Sequence, residues 1–256
     1  MANTMRLAIL SDAHGNLPAL QAVLAEVDRR GPFDTLVGGG DYVLGGAFPQ
    51  QTLALVIERG LQCVRGNTDE WIVEAATDGQ QRATGYAPEQ AHTGVLRQMD
   101  EWAVEHLDSD QLEFLKRLPL RWETTGPSGQ SLVFVHATPW SAHPIVLPDA
   151  PEDVARKMLD EAGSPVLLYG HIHHAYVRAV GDRTLACVGS IGMPFDGDWR
   201  PCFAIAEDDG SGWRVEHVRV SYDQAAYLTA LADSGEPNAA GTIASIRERG
   251  GVAPAG

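Results

Sequence analysis

Short apolar runs alternate with amphipathic stretches along most of the chain. "MRLAILSD" (5–12) packs four apolar residues in a row before a polar end and reads as a buried strand. "NLPALQAVLAEVDRRG" follows, with Leu17, Leu20, Val23, Leu24 and Val27 at helical spacing and Gly31 as a stop. "DTLVGGGD" (34–41) predicts a second strand, "QQTLALVIERG" (50–60) a second helix and "LQCVRGN" (61–67) a third strand. This βαβαβ succession, with crossovers long enough to hold a helix, predicts a parallel sheet.

Residues 68–118 read as mostly helical; "DSDQLEFLKRLP" offers Asp108 or Ser109 as an N-cap and stops before Pro119. "LRWETT", the turn "GPSGQ" and "SLVFVH" form a hairpin pattern. "PEDVARKMLDEAG" (151–163) predicts a helix opened by Pro151 and closed by Gly163. Short strands with Gly/Asp turns occupy 165–220, and "YDQAAYLTALADSG" is a last amphipathic piece. One domain over residues 1–235, with a helical insertion at about 68–118, is the expected organisation; 236–256, rich in Ala, Gly and Pro, reads as a tail or surface arm.

Composition narrows the function. The chain has 256 residues, 44% hydrophobic and 21% charged, as ordinary globular proteins do. No apolar run could span a bilayer, and the N-terminal run is too short for a signal-peptide core, so the cytoplasm is the expected compartment. Cys63, Cys187 and Cys202 sit singly in strand-like runs; buried reduced thiols are expected, and their spacing excludes thiolate zinc sites. Net charge is −15, Lys116 and Lys157 are the only lysines, and no basic stripe exists, which argues against a nucleic-acid partner. A phosphate ester stays compatible with an acidic chain if a bound metal reverses the local charge.

The polar residues fall where the strands end. Asp12 closes the first predicted strand and Asp41 the second, Asn67 follows the third, His136 ends "LVFV", and "LLYGHIHHAY" places His171, His173 and His174 after another apolar run. Carboxyl ends of strands are where open α/β sheets bind ligands. Asp12/His14 and His171/His173 are i, i+2 pairs, which on extended backbone point the same way. Taken singly, Asp41 and Asn67 are ordinary turn residues, His136 an ordinary core histidine and "GHIHH" an ordinary solvated turn. Together they make two carboxylates, one amide and four imidazoles, a donor set suited to Mn²⁺, Fe, Zn²⁺ or Co²⁺. Seven donors exceed one ion's needs, so two ions sharing a bridging carboxylate are expected.

In order and spacing, "SDAHGN", "GGD", "GNTD", "VHATP" and "GHIH" resemble the D-x-H, G-D, G-N-H-D/E, H and G-H-x-H pattern of the calcineurin-like metallophosphoesterases. "SDAHGNLPALQAVL", "FLKRLPL" and "VGSIGMPFDGD" followed by "SYD" are similar to that family's small bacterial phosphodiesterase-type branch. The resemblance covers about residues 5 to 235 and implies an α/β fold: a two-sheet mixed β-sandwich flanked by helices on both faces, four layers αββα. It implies one ion on Asp12, His14 and His173, a second on Asn67, His136 and His171, and Asp41 bridging them, with His174 outside the set. Mn or Fe would be the first expectation for the two divalent ions, with Zn, Co or Ni also suited.

The implied function is a phosphohydrolase, foremost a phosphodiesterase, in which a metal-bridging hydroxide attacks phosphorus in line on a small or nucleotide-like ester. Alternatives are a phosphomonoesterase or protein phosphatase, a nuclease, or a noncatalytic protein-binding scaffold; the full ligand set argues against the last. The expected partner is a small phosphate-ester substrate rather than a membrane or nucleic acid, with a homo-oligomer left open. One departure stands out: Thr68 occupies the position where the family's His contacts phosphate and protonates the leaving group, and a threonine hydroxyl has no suitable pKa for that task. Asp69 remains for catalysis or for orienting a neighbour, and His92 in "EQAHTGVL" is the candidate replacement donor, with a helix-surface histidine as the ordinary alternative. Phe195, where relatives of the branch often carry a polar or basic residue, would either line an apolar part of the substrate pocket, together with Asn67 and Thr68, or merely pack.

Overall fold

The computed structural model describes residues 4–77 and 94–253. Two five-stranded mixed sheets stack face to face. The first has the order β10-β9-β1-β2-β3, from β1 (Met5–Leu10), β2 (Thr35–Gly38), β3 (Gln62–Cys63), β9 (Cys202–Asp208) and β10 (Trp213–Arg219). The second runs β4-β5-β6-β8-β7, from β4 (Arg121–Thr125), β5 (Ser131–Val135), β6 (Val166–Tyr169), β7 (Ala175–Val180) and β8 (Arg183–Val188). β1, β2 and β3 pair in parallel, as the βαβαβ pattern predicts, and so do β5, β6 and β8.

Strand alternation builds the layers. Leu7 and Ile9 of β1 face the space between the sheets with Leu132, Phe134, Val166 and Leu168, all buried. Their neighbours Ala8 and Leu10 turn outward to α1 (Leu17–Arg30) and α2 (Pro49–Glu58), and Val133, Val135, Leu167 and Tyr169 turn to α6 (Glu152–Ala162). Helices thus cover both faces of a β-sandwich, the four-layer arrangement expected. Between β3 and β4 the chain supplies α3 (Asn67–Ala76), α4 (Val95–Glu105) and α5 (Ser109–Lys116).

Two strands are shorter than the apolar runs suggest. β2 stops at Gly38, because Gly39 and Gly40 turn the chain toward Asp41, and β3 keeps only Gln62 and Cys63. Asn67 therefore does not trail a strand but opens α3, and Thr68 and Asp69 share its first turn. After α7 (Gln224–Asp233), the segment expected as a tail or arm forms α8 (Ala239–Ser245) and a π-turn over Ile246–Gly250, with Ile246 buried against Met193 and Tyr227. Cys63, Cys187 and Cys202 are buried free thiols. Among the described residues no helix is long and apolar enough to cross a membrane.

Candidate metal centre

The chain ends of β1, β2, β5 and β6 meet at one edge of the sandwich. There Asp12, His14, Asp41 and His173 bring one donor atom each within 4.8 Å of one another, and Asp41, His136 and His171 do the same. Asp41 belongs to both groups: its Oδ2 lies 3.6 Å from His14 Nε2 and its Oδ1 3.5 Å from His136 Nε2. Asn67 joins the second group, with Oδ1 2.9 Å from His136 Nε2. His174 belongs to neither group and is partly exposed.

Turns, rather than strand alternation, aim these side chains. Asp12, His14, Asp41, His171 and His173 all have φ between 47° and 66°, and among the described residues no other non-glycine has positive φ. Left-handed backbone is unfavourable for such residues and collects at functional sites, where surrounding structure enforces it. The i, i+2 pairs are thus not on extended chain as their spacing suggests; Asp12 and His14 still converge on one group, while His171 and His173 divide between two. The glycines of "GN" and "GH" are space requirements. A Cβ on Gly66 would overlap Asp41 Oδ1, and one on Gly170 would overlap Ser11 Oγ and Asp12 Oδ2.

Whether the residues suit a cation is decided by protons. His14 Nδ1 donates to the Leu44 carbonyl at 2.8 Å, His173 Nδ1 to Met193 at 2.7 Å, His136 Nδ1 to Gly39 at 2.7 Å and His171 Nε2 to His143 at 3.0 Å. Each neutral ring has one N–H and spends it on a backbone carbonyl, so the other nitrogen presents a lone pair. Those lone pairs face each other: His14 Nε2 and His173 Nε2 are 3.2 Å apart, as are His136 Nε2 and His171 Nδ1. Asp12 Oδ1, 3.2 Å from His173 Nε2, is buried without a hydrogen-bond partner. Converging lone pairs and a buried, unsatisfied carboxylate oxygen fit a divalent cation at each group.

Without an ion the titrations conflict. Burial alone would raise the Asp12 carboxyl, but the imidazoles of His173, His136 and His14 outweigh it and hold Asp12 well below the usual carboxylate range. Burial lowers His14, and burial with the neighbouring His136 takes His171 down to about 4. Burial also works against His136, yet Asp41 and Asp12 raise it.

Asp69 has an orienting role in this geometry. Its carboxylate accepts the N–H groups of Gly66 at 2.7 Å and Asp41 at 2.9 Å, tying the start of α3 to the residue common to both groups, while burial and the charge of Asp41 push it up to about 7. Thr68 N–H donates to Asp41 Oδ1 at 3.0 Å, and its buried hydroxyl has no partner. Phe195 stacks on His173 with centroids 4.6 Å apart. His92 lies outside the described residues.

Sequence reasoning missed the supports. Ser11 Oγ donates to Asp12 Oδ2 at 2.6 Å. His143, whose carbonyl fixes His171, meets Glu70 at 2.7 Å, and Glu70 pairs with Arg65 at 2.6 Å. Neither residue is part of a motif; only the second histidine of the 136–143 stretch, His143 itself, hints that something is held there.

A family model, the calcineurin-like phosphoesterase superfamily domain, matches residues 5–210. The chain belongs to the calcineurin-like phosphoesterase superfamily. It is 27% identical over 236 residues to an uncharacterised protein of Methanocaldococcus jannaschii, covering 85% of this chain and 88% of that one. A metallophosphoesterase of Sphaerobacter thermophilus is 26% identical with a TM-score of 0.72, covering 97% of this chain and all (100%) of the other. A hypothetical protein of Pyrococcus horikoshii shares the fold, with a TM-score of 0.80 at 21% identity and the same coverage, 97% and 100%.

Proposed function

We propose that this protein is a dinuclear-metal-dependent phosphohydrolase that prefers phosphodiesters, or esters with activated leaving groups, over alkyl monoesters. The observation that carries this is the pair of groups joined by Asp41, in each of which carboxylate oxygens and imidazole nitrogens converge on one point. Asp12, His14 and His173 would hold one ion and Asn67, His136 and His171 the other, with Asp41 between them. The oxygen and imidazole donors, without sulfur, favour Mn²⁺ or Fe. When bound, two such ions supply positive charge for phosphoryl oxygens and lower the pKa of water enough to give a nucleophile near neutral pH.

The chain's own residues do the positioning. Four backbone carbonyls fix the imidazole tautomers, and Asp69 fixes the backbone of Asp41. The first turn of α3 presents its N-terminus at the site, where a helix favours an anion. The unpartnered Thr68 hydroxyl can donate to a phosphoryl oxygen, but it has no acidity suited to an alkoxide leaving group. That deficit supports the diester and aryl-ester preference.

The test combines metal analysis after reconstitution with kcat/KM for a p-nitrophenyl diester, a p-nitrophenyl monoester and an alkyl monoester. About two ions per chain, activity lost to a chelator, and the alkyl ester slowest are expected. Full activity with one ion would overturn the dinuclear reading, and a fast alkyl monoester would overturn the preference.

A further inference from the structure

The arm after α7 reaches the metal centre through one stack of planar groups. The Arg249 guanidinium lies 3.8 Å from the centroid of Phe195, whose other face stacks on His173 at 4.6 Å. The arm is seated on the loop that orients His173. Gly197 N–H donates to the Arg249 carbonyl at 3.0 Å, a Cβ on Gly250 would overlap the Pro194 carbonyl, and Met193, whose carbonyl holds His173, packs in one cluster with Ile246.

The charge on this guanidinium is unusual for the protein. In a chain of 34 acids and 19 bases, Arg249 makes no ion pair or side-chain hydrogen bond among the described residues. The carboxylates flanking Gly197 are committed elsewhere, Asp196 to Arg219 and Asp198 to Arg200. The Arg249 side chain is exposed, with five donors on a plane already fixed by stacking, which suits bidentate capture of a phosphate. A single ring, that of Phe195, separates it from the His173 imidazole, so it stands one aromatic layer from the metal centre, within reach of a phosphate that adjoins one held there.

We propose that Arg249 is a specificity-determining residue that binds a second phosphate adjoining the one attacked, so that the preferred substrates are phosphate esters bearing a further phosphate, of the nucleoside-polyphosphate class. This rests on the metal centre binding the reacting phosphoryl group, as proposed above. Phe195, covered on both faces, serves as the platform for the cation and not as a stacking surface for a base.

The experiment measures Kd for inorganic pyrophosphate and inorganic phosphate on the Mn²⁺-loaded full chain, at one fixed free Mn²⁺ concentration, in wild type, Arg249→Gln and Arg249→Lys. A charge-assisted hydrogen bond predicts that Arg249→Gln weakens pyrophosphate about tenfold or more relative to its effect on phosphate. Arg249→Lys should recover part of that ratio. Equal weakening of both anions, or none, would overturn the proposal; so would a fall in thermal stability with the anion ratio intact, because Arg249 would then only pack. The measurement needs no turnover. Loss of the pyrophosphate preference in a protein that hydrolyses no ester would sink the reaction reading, and with it the substrate preference, while leaving Arg249 as the ligand of the second phosphate.

Discussion

The two donor groups around Asp41 differ in how they are closed. Asp12, His14 and His173 are buried, and the turn after β1 is tied on two sides there, since the backbone N–H of Gly192 in the β8–β9 connection donates to the Asp12 carbonyl at 2.8 Å and that of His14 to the Asp41 carbonyl after β2 at 2.9 Å. The His136 side is looser. It uses an amide in place of a carboxylate, His171 is only partly buried, and the adjacent Thr68 hydroxyl is unpaired. On the metal reading proposed above, the first group would be the more rigid cation seat and the second, through His171, the side nearer solvent. Chemical novelty in this chain, the loss of the expected histidine at position 68, falls on the open side.

Removing the shared ligand should abolish the distinction. Asp41→Asn takes charge from both groups, and turnover should fall by more than ~10²-fold, since even residues that merely orient ligands are worth 10–100-fold. Retained kcat with a normal metal content would show that Asp41 is not the bridge. A donor gain on the open side comes next. Thr68→His should raise kcat/KM on an alkyl ester by ~10²-fold more than on a p-nitrophenyl ester, the lower end of what general acid catalysis contributes. A uniform change across both leaving groups would mean that position 68 only binds phosphate.

Single-ligand changes then separate the seats. His14→Ala and His171→Ala should each lose one of about two ions, but different ones, with His14→Ala also lowering thermal stability because its ring is buried. Elemental analysis with thermal melts reads both, and identical behaviour of the two variants would erase the comparison.

The smallest effect concerns protons in the metal-free protein. His171 lies near 4 in the fold against an ordinary value of 6.5, so between those values the unfolded chain binds more protons and stability rises with pH. That contribution is complete above 6.5 and lost as pH falls through about 4, with a slope of at most ~1.4 kcal/mol per pH unit. His171→Gln should flatten the metal-free stability curve in that window; an unchanged slope would assign the titration to another group.

Much of this site was legible from residue types at the ends of apolar runs. The uninterrupted apolar runs in "MRLAIL" and "SLVFV" determine by themselves that these strands are covered on both sides, because successive residues must point to opposite faces and both sets are apolar. Asp12, His14, Asp41, Asn67, His136, His171 and His173 could be picked out because polar donors after buried strands have few other reasons to recur.

Tertiary structure decided the rest. The left-handed turns that aim five of those side chains exist because Cβ-free glycines let neighbouring segments press against them. The tautomers are set by the carbonyls of Leu44, Gly39, His143 and Met193, and a carbonyl carries no residue identity for a sequence to reveal. Arg249 is the clearest case. Nothing in "IRERGG" marks it, and it meets the site only because Ile246 and Gly250 dock 50 residues downstream of the loop they cover, a contact fixed by packing rather than by any local pattern.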